Sequence, residues 1–167
     1  QVAKLANPSV LVLVGTRDER LALGKSLGAD EVINIKQDGA VDSLKQILQG
    51  KGADAVIECA GNAGSMELAM DILGWRGRVA VEGIFGADET VPISPYHLLL
   101  CRAATIVGVC GWLISDFNRA LDLISTGQVN TRPLITHTFP LVQWEAAFEM
   151  ITQRKSESIK AQFTISS

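Results

Sequence analysis

Apolar and polar positions follow one another along this chain with a period that switches repeatedly. Ser9–Val14 is an almost unbroken apolar run, the mark of a strand covered on both faces in a parallel sheet. From Arg17 to Leu27, Leu21, Leu23 and Leu27 stand among polar residues as a helical stripe, which Gly28 ends. Glu31–Asn34 reads as the next strand. Val41, Leu44, Ile47 and Leu48 mark a second helix, closed by Gly50 and Gly52. Ala53–Glu58 is a third strand, Met66–Leu73 a third helix and Arg78–Glu82 a fourth strand. Strands and helices alternating across short links predict an α/β fold: a doubly wound, mostly parallel sheet with helices on both faces.

Beyond Gly86 the rhythm changes. Ser94-Pro95 has the form of an N-cap and first helical residue, opening a short helix through Leu100. Ala104–Val109 is a further strand, and Leu113–Ser125 a helix ending near Gly127. Leu134–Phe139 reads as strand, Val142–Thr152 as helix and Ile159–Ile165 as a last strand. No linker or low-complexity segment interrupts this order, so one α/β unit is expected throughout.

Composition narrows the function classes. Fifteen basic against eighteen acidic residues give a net charge of −3, which argues against a nucleic-acid partner. No apolar run is long enough to span a membrane. Cys59, Cys101 and Cys110 cannot all pair internally, and their wide spacing suits a reducing, cytoplasmic setting. His97 and His137 lie 40 residues apart and give no zinc spacing with those cysteines.

Two groups of residues carry candidate chemistry. The first is Gly15-Thr16-Arg17, with Arg20 one turn on, at the carboxyl end of the first strand. Ligands of doubly wound sheets bind outside the carboxyl ends of the strands. A small residue, a hydroxyl and guanidinium groups suit a phosphate dianion, which arginine grips with paired donors. Taken alone, the same residues read as a turn glycine followed by a solvated helix start. The second group is the strand-end glycines Gly61, Gly83 and Gly108, with Gly111 just beyond. Glycine there lets a ligand approach the backbone, though each one singly reads as turn chemistry. Asp54, Glu58 and Glu82 read as structural rather than as acid–base catalysts, because no histidine or nucleophile stands near them in sequence.

The chain has no GxGxxG, although all that follows Val10 looks like what should follow one. Val2–Ala6 reads as the last turn of a helix, and Gln1 in place of Met suggests a processed or truncated product. The ordered set VAKLANPSVLVLVGTRDERLALGKSLGADEVINI, GADAVIECAGN, GRVAVEGIFG, TIVGVCG, ALDLISTGQVNTRPLITHTFPL and AAFEMI…SIKAQF resembles the medium-chain, zinc-dependent alcohol dehydrogenases in their polyol and threonine dehydrogenase branch. The resemblance covers essentially the whole chain. It implies residues 1–167 as part of an NAD(P)-binding Rossmann domain, lacking its first strand and glycine-rich loop, with a carboxyl-terminal tail that returns to an absent catalytic domain.

Carried over residue by residue, the resemblance implies a cofactor site. Gly15-Thr16-Arg17 matches the triplet of NADP-dependent members, in place of the Asp that ends this strand in NAD-dependent ones. Arg20 matches an arginine near the adenosine ribose. Glu82-Gly83-Ile84 and Val109-Cys110 match segments lining the nicotinamide, and Lys160 matches a basic residue at the pyrophosphate. The implied reaction is hydride transfer between the nicotinamide and a small alcohol or ketone. The zinc ligands are implied only upstream, so no catalytic or metal residue is expected here and the isolated chain should be inactive. NADP is expected, with NAD as the alternative. A homo-oligomer is implied through the apolar strand Ala104–Cys110. Zinc-free quinone or enoyl reductases and a non-catalytic nucleotide-binding or assembly module stand as alternatives. In the strand order 3-2-1-4-5-6, the Val10 and Val56 strands would each flank the missing strand 1.

Overall fold

The computed structural model describes residues 1–153 and 158–165. Its elements in chain order are α1 (Val2–Leu5), β1 (Val12–Gly15), α2 (Asp18–Ser26), β2 (Glu31–Asn34), α3 (Ala40–Ile47), β3 (Ala53–Glu58) and α4 (Ala63–Asp71). There follow β4 (Leu73–Val81), a π-helical segment Pro95–Cys101, β5 (Thr105–Gly108), α5 (Ile114–Ser125), β6 (Ile135–Pro140), α6 (Trp144–Thr152) and β7 (Lys160–Thr164). The chain divides into two compact units, Gln1–Ala40 with Leu113–Ser167, and Val41–Trp112.

In the first unit, β1 and β2 pair in parallel, with Gly15 opposite Asn34. α2 lies against β1 at very short range. A Cβ on Gly24 would stand 2.1 Å from Leu13 Cδ2, so a larger residue there would require the Leu13 side chain to move. Leu21, 4% exposed, is the buried anchor of the helix. Gly28, at φ +115°, turns the chain from α2 toward β2 as its sequence position suggested. The later part of the unit pairs β6 with β7 in parallel and packs α6 on them through the fully buried Ala147.

Two polar links join distant parts of this unit. Gln1 Nε2 donates to Asn130 O at 3.0 Å, and Asn130 N donates to Gln1 Oε1 at 2.7 Å. Lys4 Nζ donates to both carboxylate oxygens of Asp30, at 2.6 and 2.7 Å, and Leu11 N donates to Asp30 Oδ2 at 2.8 Å. Asp30 therefore ties the first helical turn to the start of β1.

In the second unit, β3, β4 and β5 form a parallel sheet in that order. The core lies between this sheet, α4 and the π-helical segment, and is built from Met66, Ala69, Met70, Leu73, Val79 and Leu98. Ser94 Oγ accepts from His97 N at 3.3 Å and Pro95 follows it, the capping pair read from the sequence. The segment winds as a π-helix rather than an α-helix. Ile72 and Leu73 fit the helical stripe, yet α4 stops at Asp71 and β4 starts at Leu73. Two tertiary contacts override the local pattern. Ala53 N donates to Ile72 O at 2.8 Å, and Arg102 Nη1 donates to the carbonyls of Met70, Asp71 and Leu73. Between the pairs Ala53–Leu73 and Ala55–Arg78 the strand bulges, with Arg76 at φ +58°.

Among the described residues β1 bonds to β2 and β3 to β4, and the expected strand order contains both pairings. Among the described residues, no helix is long and apolar enough to cross a membrane.

The Asp30 link yields a pH test. The Lys4 ammonium first, and the Leu11 amide second, hold the Asp30 carboxyl below its ordinary value. A depressed carboxyl contributes stability that is present above the unfolded value of about 3.9 and is lost as pH falls through the lower folded value. The melting-temperature gap between wild type and Asp30→Asn should be full above about pH 5 and close at acid pH. A gap independent of pH would show that the charge of Asp30 contributes nothing.

Candidate functional site

In the first unit, β1 ends at Gly15 and the chain turns through Thr16 into Arg17, the extended N-cap of α2. The smallness of Gly15 has a local cause. A Cβ there would lie 3.1 Å from Leu21 Cδ2, so a larger residue would push on the buried anchor of α2. Its carbonyl is used too, accepting from Ile35 N at 2.9 Å.

Arg17 and Arg20 stand one helical turn apart. Arg20 Nη2 donates to Ser158 O at 2.6 Å, across 138 residues of sequence. Burial first, and the nearby Arg17 charge second, hold the Arg20 guanidinium below its ordinary value. The two cations therefore repel one another at the strand tip, and the Arg17 side chain makes no hydrogen bond or ion pair among the described residues. A bound anion would relieve that repulsion. Lys160 opens β7 two residues after Ser158, so the expected basic residue belongs to the segment that Arg20 grips.

Sequence reasoning missed Asp18 and Asn34. Asn34 Nδ2 donates to Asp18 Oδ1 at 2.7 Å, and Asn34 Oδ1 accepts from Lys36 N at 3.1 Å. This link fixes the start of α2 to the tip of β2. An acidic residue in the first helical turn and an asparagine ending the next strand were its only sequence signals.

In the second unit, the strand register aligns Glu58, Val81 and Gly108 side by side. Parallel strands in register deliver their following residues to one edge, so Glu82, Gly83, Ile84, Val109 and Cys110 emerge together. Glu82 N and Gly83 N both donate to Glu58 O at 2.9 Å, and Val109 N donates to Val81 O at 2.8 Å. Ile84 is 94% exposed.

The glycines at this edge differ in what requires them. A Cβ on Gly61 would lie 2.3 Å from Ile84 O, and one on Gly83 would lie 2.3 Å from Gly61 N. These two let the turn after β3 abut the turn after β4. Gly108 and Gly111 have nothing within 4 Å of a built Cβ, although Gly111 needs its φ of +72°.

The carboxylates Glu58 and Glu82 both accept hydrogen bonds from the turn that follows β3. Glu58 is 4% exposed, and its Oε1 accepts from Ala60 N, Gly61 N and Ser65 Oγ at 2.8, 3.0 and 2.7 Å. Cys59 Sγ donates to Glu82 Oε2 at 3.4 Å. Partial burial of the thiol is the main cause that pushes it up to about 11, followed by that hydrogen bond and the Glu82 and Glu58 charges. Cys59 is thus a thiol, not a nucleophilic thiolate, at neutral pH. A cleft of about 360 Å³, lined by Lys45, Lys51, Gly52, Asp71, Trp75 and Arg102, opens where β3 and β4 begin, at the opposite ends of the strands. Among the described residues, no three His, Cys, Asp or Glu side chains group as metal ligands.

Parallel α/β units with glycines at the carboxyl ends of the strands are the architecture of dinucleotide-binding domains. The family model described as zinc-binding dehydrogenase matches residues 1–126, and the chain belongs to that family. It is 31% identical over 161 residues to a sorbitol dehydrogenase of Arabidopsis thaliana, covering 93% of this chain and 43% of that protein. It is 30% identical over 158 residues to an NAD-dependent alcohol dehydrogenase of Sulfurisphaera tokodaii, covering 93% of this chain and 44% of that one. The fold superposes on the benzyl alcohol dehydrogenase of Acinetobacter calcoaceticus with a TM-score of 0.84 at 27% identity, over 98% of this chain and 45% of that chain. The chain therefore spans less than half the length of the relatives it matches.

The strand-tip contacts can be tested by adding one methyl group. Gly83→Ala should cost about 1–3 kcal/mol in denaturant unfolding, because backbone must move to admit it. Gly108→Ala, in open space and within a strand, should instead be neutral or stabilise by up to about 1 kcal/mol. Equal effects at the two positions would refute the close approach of the two turns.

Proposed function

We propose that this chain is the coenzyme-binding part of a zinc-type alcohol or polyol dehydrogenase that prefers NADP(H) to NAD(H). The observation that carries the reading is the Arg17–Arg20 pair beside Gly15, two like charges at the strand tip with no carboxylate bonded to them among the described residues. The pair would hold the 2′-phosphate of the adenosine ribose, with Lys160 nearby for the pyrophosphate. The exposed tips Glu82–Ile84 and Val109–Cys110 would line the nicotinamide, which when bound supplies or accepts the hydride. The chain's own part is to bind and orient. Close backbone packing at Gly61 and Gly83 supports that part, because it fixes the tips without bulky side chains.

Asp18 favours a second reading. Its carboxylate lies in the first turn of α2, where it suits ribose hydroxyls, and one relative named above is NAD-dependent. Among the described residues no three His, Cys, Asp or Glu side chains group to hold a zinc, and the reading assigns substrate activation to a catalytic domain of the kind its relatives carry. The half-exposed Trp144 and Phe148 of α6 support a tail that folds onto further protein.

Arg17→Ala decides between the cofactors. A hydrogen bond to a charged group contributes about 1.5–3 kcal/mol. Its loss should weaken NADPH by roughly ten- to a hundred-fold and leave NADH nearly unchanged in a titration. Equal weakening of both cofactors would favour the NAD reading.

The same proposal includes self-association. β5 bonds to β4 on one edge and carries no charge or proline, and Val107 is 49% exposed. Such an edge invites pairing with a second copy. Val107→Asp should shift the molar mass from light scattering to that of a smaller species, and an unchanged mass would remove β5 from the interface.

A further inference from the structure

Glu58 is buried, ends β3 and is bonded on one oxygen only. Its Oε1 collects Ala60 N, Gly61 N and Ser65 Oγ, while its Oε2 is buried with no hydrogen-bond partner. Satisfying one oxygen three times and the other not at all is costly for a buried carboxylate. Each of the three donors on Oε1 belongs to the segment that follows β3.

What it holds is visible in the backbone. The Glu58 side chain fastens the turn Cys59–Gly61 that follows its own strand. The Glu58 carbonyl fastens the next strand's tip, accepting from Glu82 N and Gly83 N. The unpartnered Oε2 lies against Gly83, where an added Cβ would stand 2.4 Å away. The two turns then meet, with Gly61 against the backbone of Ile84. One residue thus sets both neighbouring strand tips, by its side chain on one and its main chain on the other.

We propose that Glu58 is a positioning residue for the nicotinamide end of the cofactor: its carboxylate, through the turn Cys59–Gly61, sets the Gly83–Ile84 backbone against which that ring rests. This deepens the dinucleotide reading given above and rests on it. Glu58 does not touch the cofactor, since both its oxygens are covered by the turn and by Gly83.

Glu58→Gln keeps the size and one acceptor oxygen but loses the charge that gathers the three donors. The test titrates the full-length protein with NADPH and, separately, with 2′-phospho-ADP-ribose, the same molecule without its nicotinamide. Glu58→Gln should weaken NADPH by about tenfold, the fold-change of one hydrogen bond to a charged group. It should change 2′-phospho-ADP-ribose by no more than about twofold. A residue that only stabilised the fold would lower the melting temperature without splitting the two ligands.

Equal weakening of both ligands, or of neither, overturns the proposal. Should Glu58→Gln fail to fold, Ser65→Ala removes one of the three donors and should give the same split at about threefold; no split there overturns the proposal too. A wild-type protein that binds neither ligand instead refutes the dinucleotide reading, and the positioning role with it.

Discussion

In-register parallel pairing of β3, β4 and β5 is the constraint on which the second unit depends. It places Glu58, Val81 and Gly108 abreast, so the three turns that follow leave at one edge. Antiparallel pairing would send alternate turns to opposite edges, and no shared edge would exist. Once the turns are neighbours, steric exclusion selects glycine at 61 and 83, and the Glu58 carboxylate closes the turn after β3.

The first unit combines packing with charge at its strand tip. Its strand tip is small because Leu21 lies behind it, and basic because Arg17 and Arg20 share a helical turn. Arg20 is positioned by a carbonyl at Ser158, far along the chain, so the corner is finished by the tail. Chemical capacity there belongs to pairs of elements rather than to a single motif. That explains why Gly15-Thr16-Arg17 alone reads more readily as a turn glycine and a solvated helix start.

Legibility in the sequence followed the range of the interaction. The strands Glu31–Asn34 and Ala53–Glu58 came out with their bounds, because their short length and the glycine-containing turns beside them select strand over helix. The Ser94-Pro95 cap was readable because capping needs only residues three apart. The site residues at the strand ends were named for the same reason, since strand ends are local features. The end of α4 was not readable. Leu73 fits a helical stripe, and only the Arg102 guanidinium on the α4 carbonyls and the pairing with Ala53 make it a strand.

The order of α and β elements and the parallel class of the sheet were determined by the sequence alone, because periodicity and turn chemistry act over a few residues. Tertiary structure decided which glycines are forced by contact, where Arg20 is aimed, and that Glu58 is buried with its Oε1 on the amides of the turn after β3. Each of these depends on atoms brought within about 3 Å by strand pairing or by the returning tail, distances that no local pattern encodes.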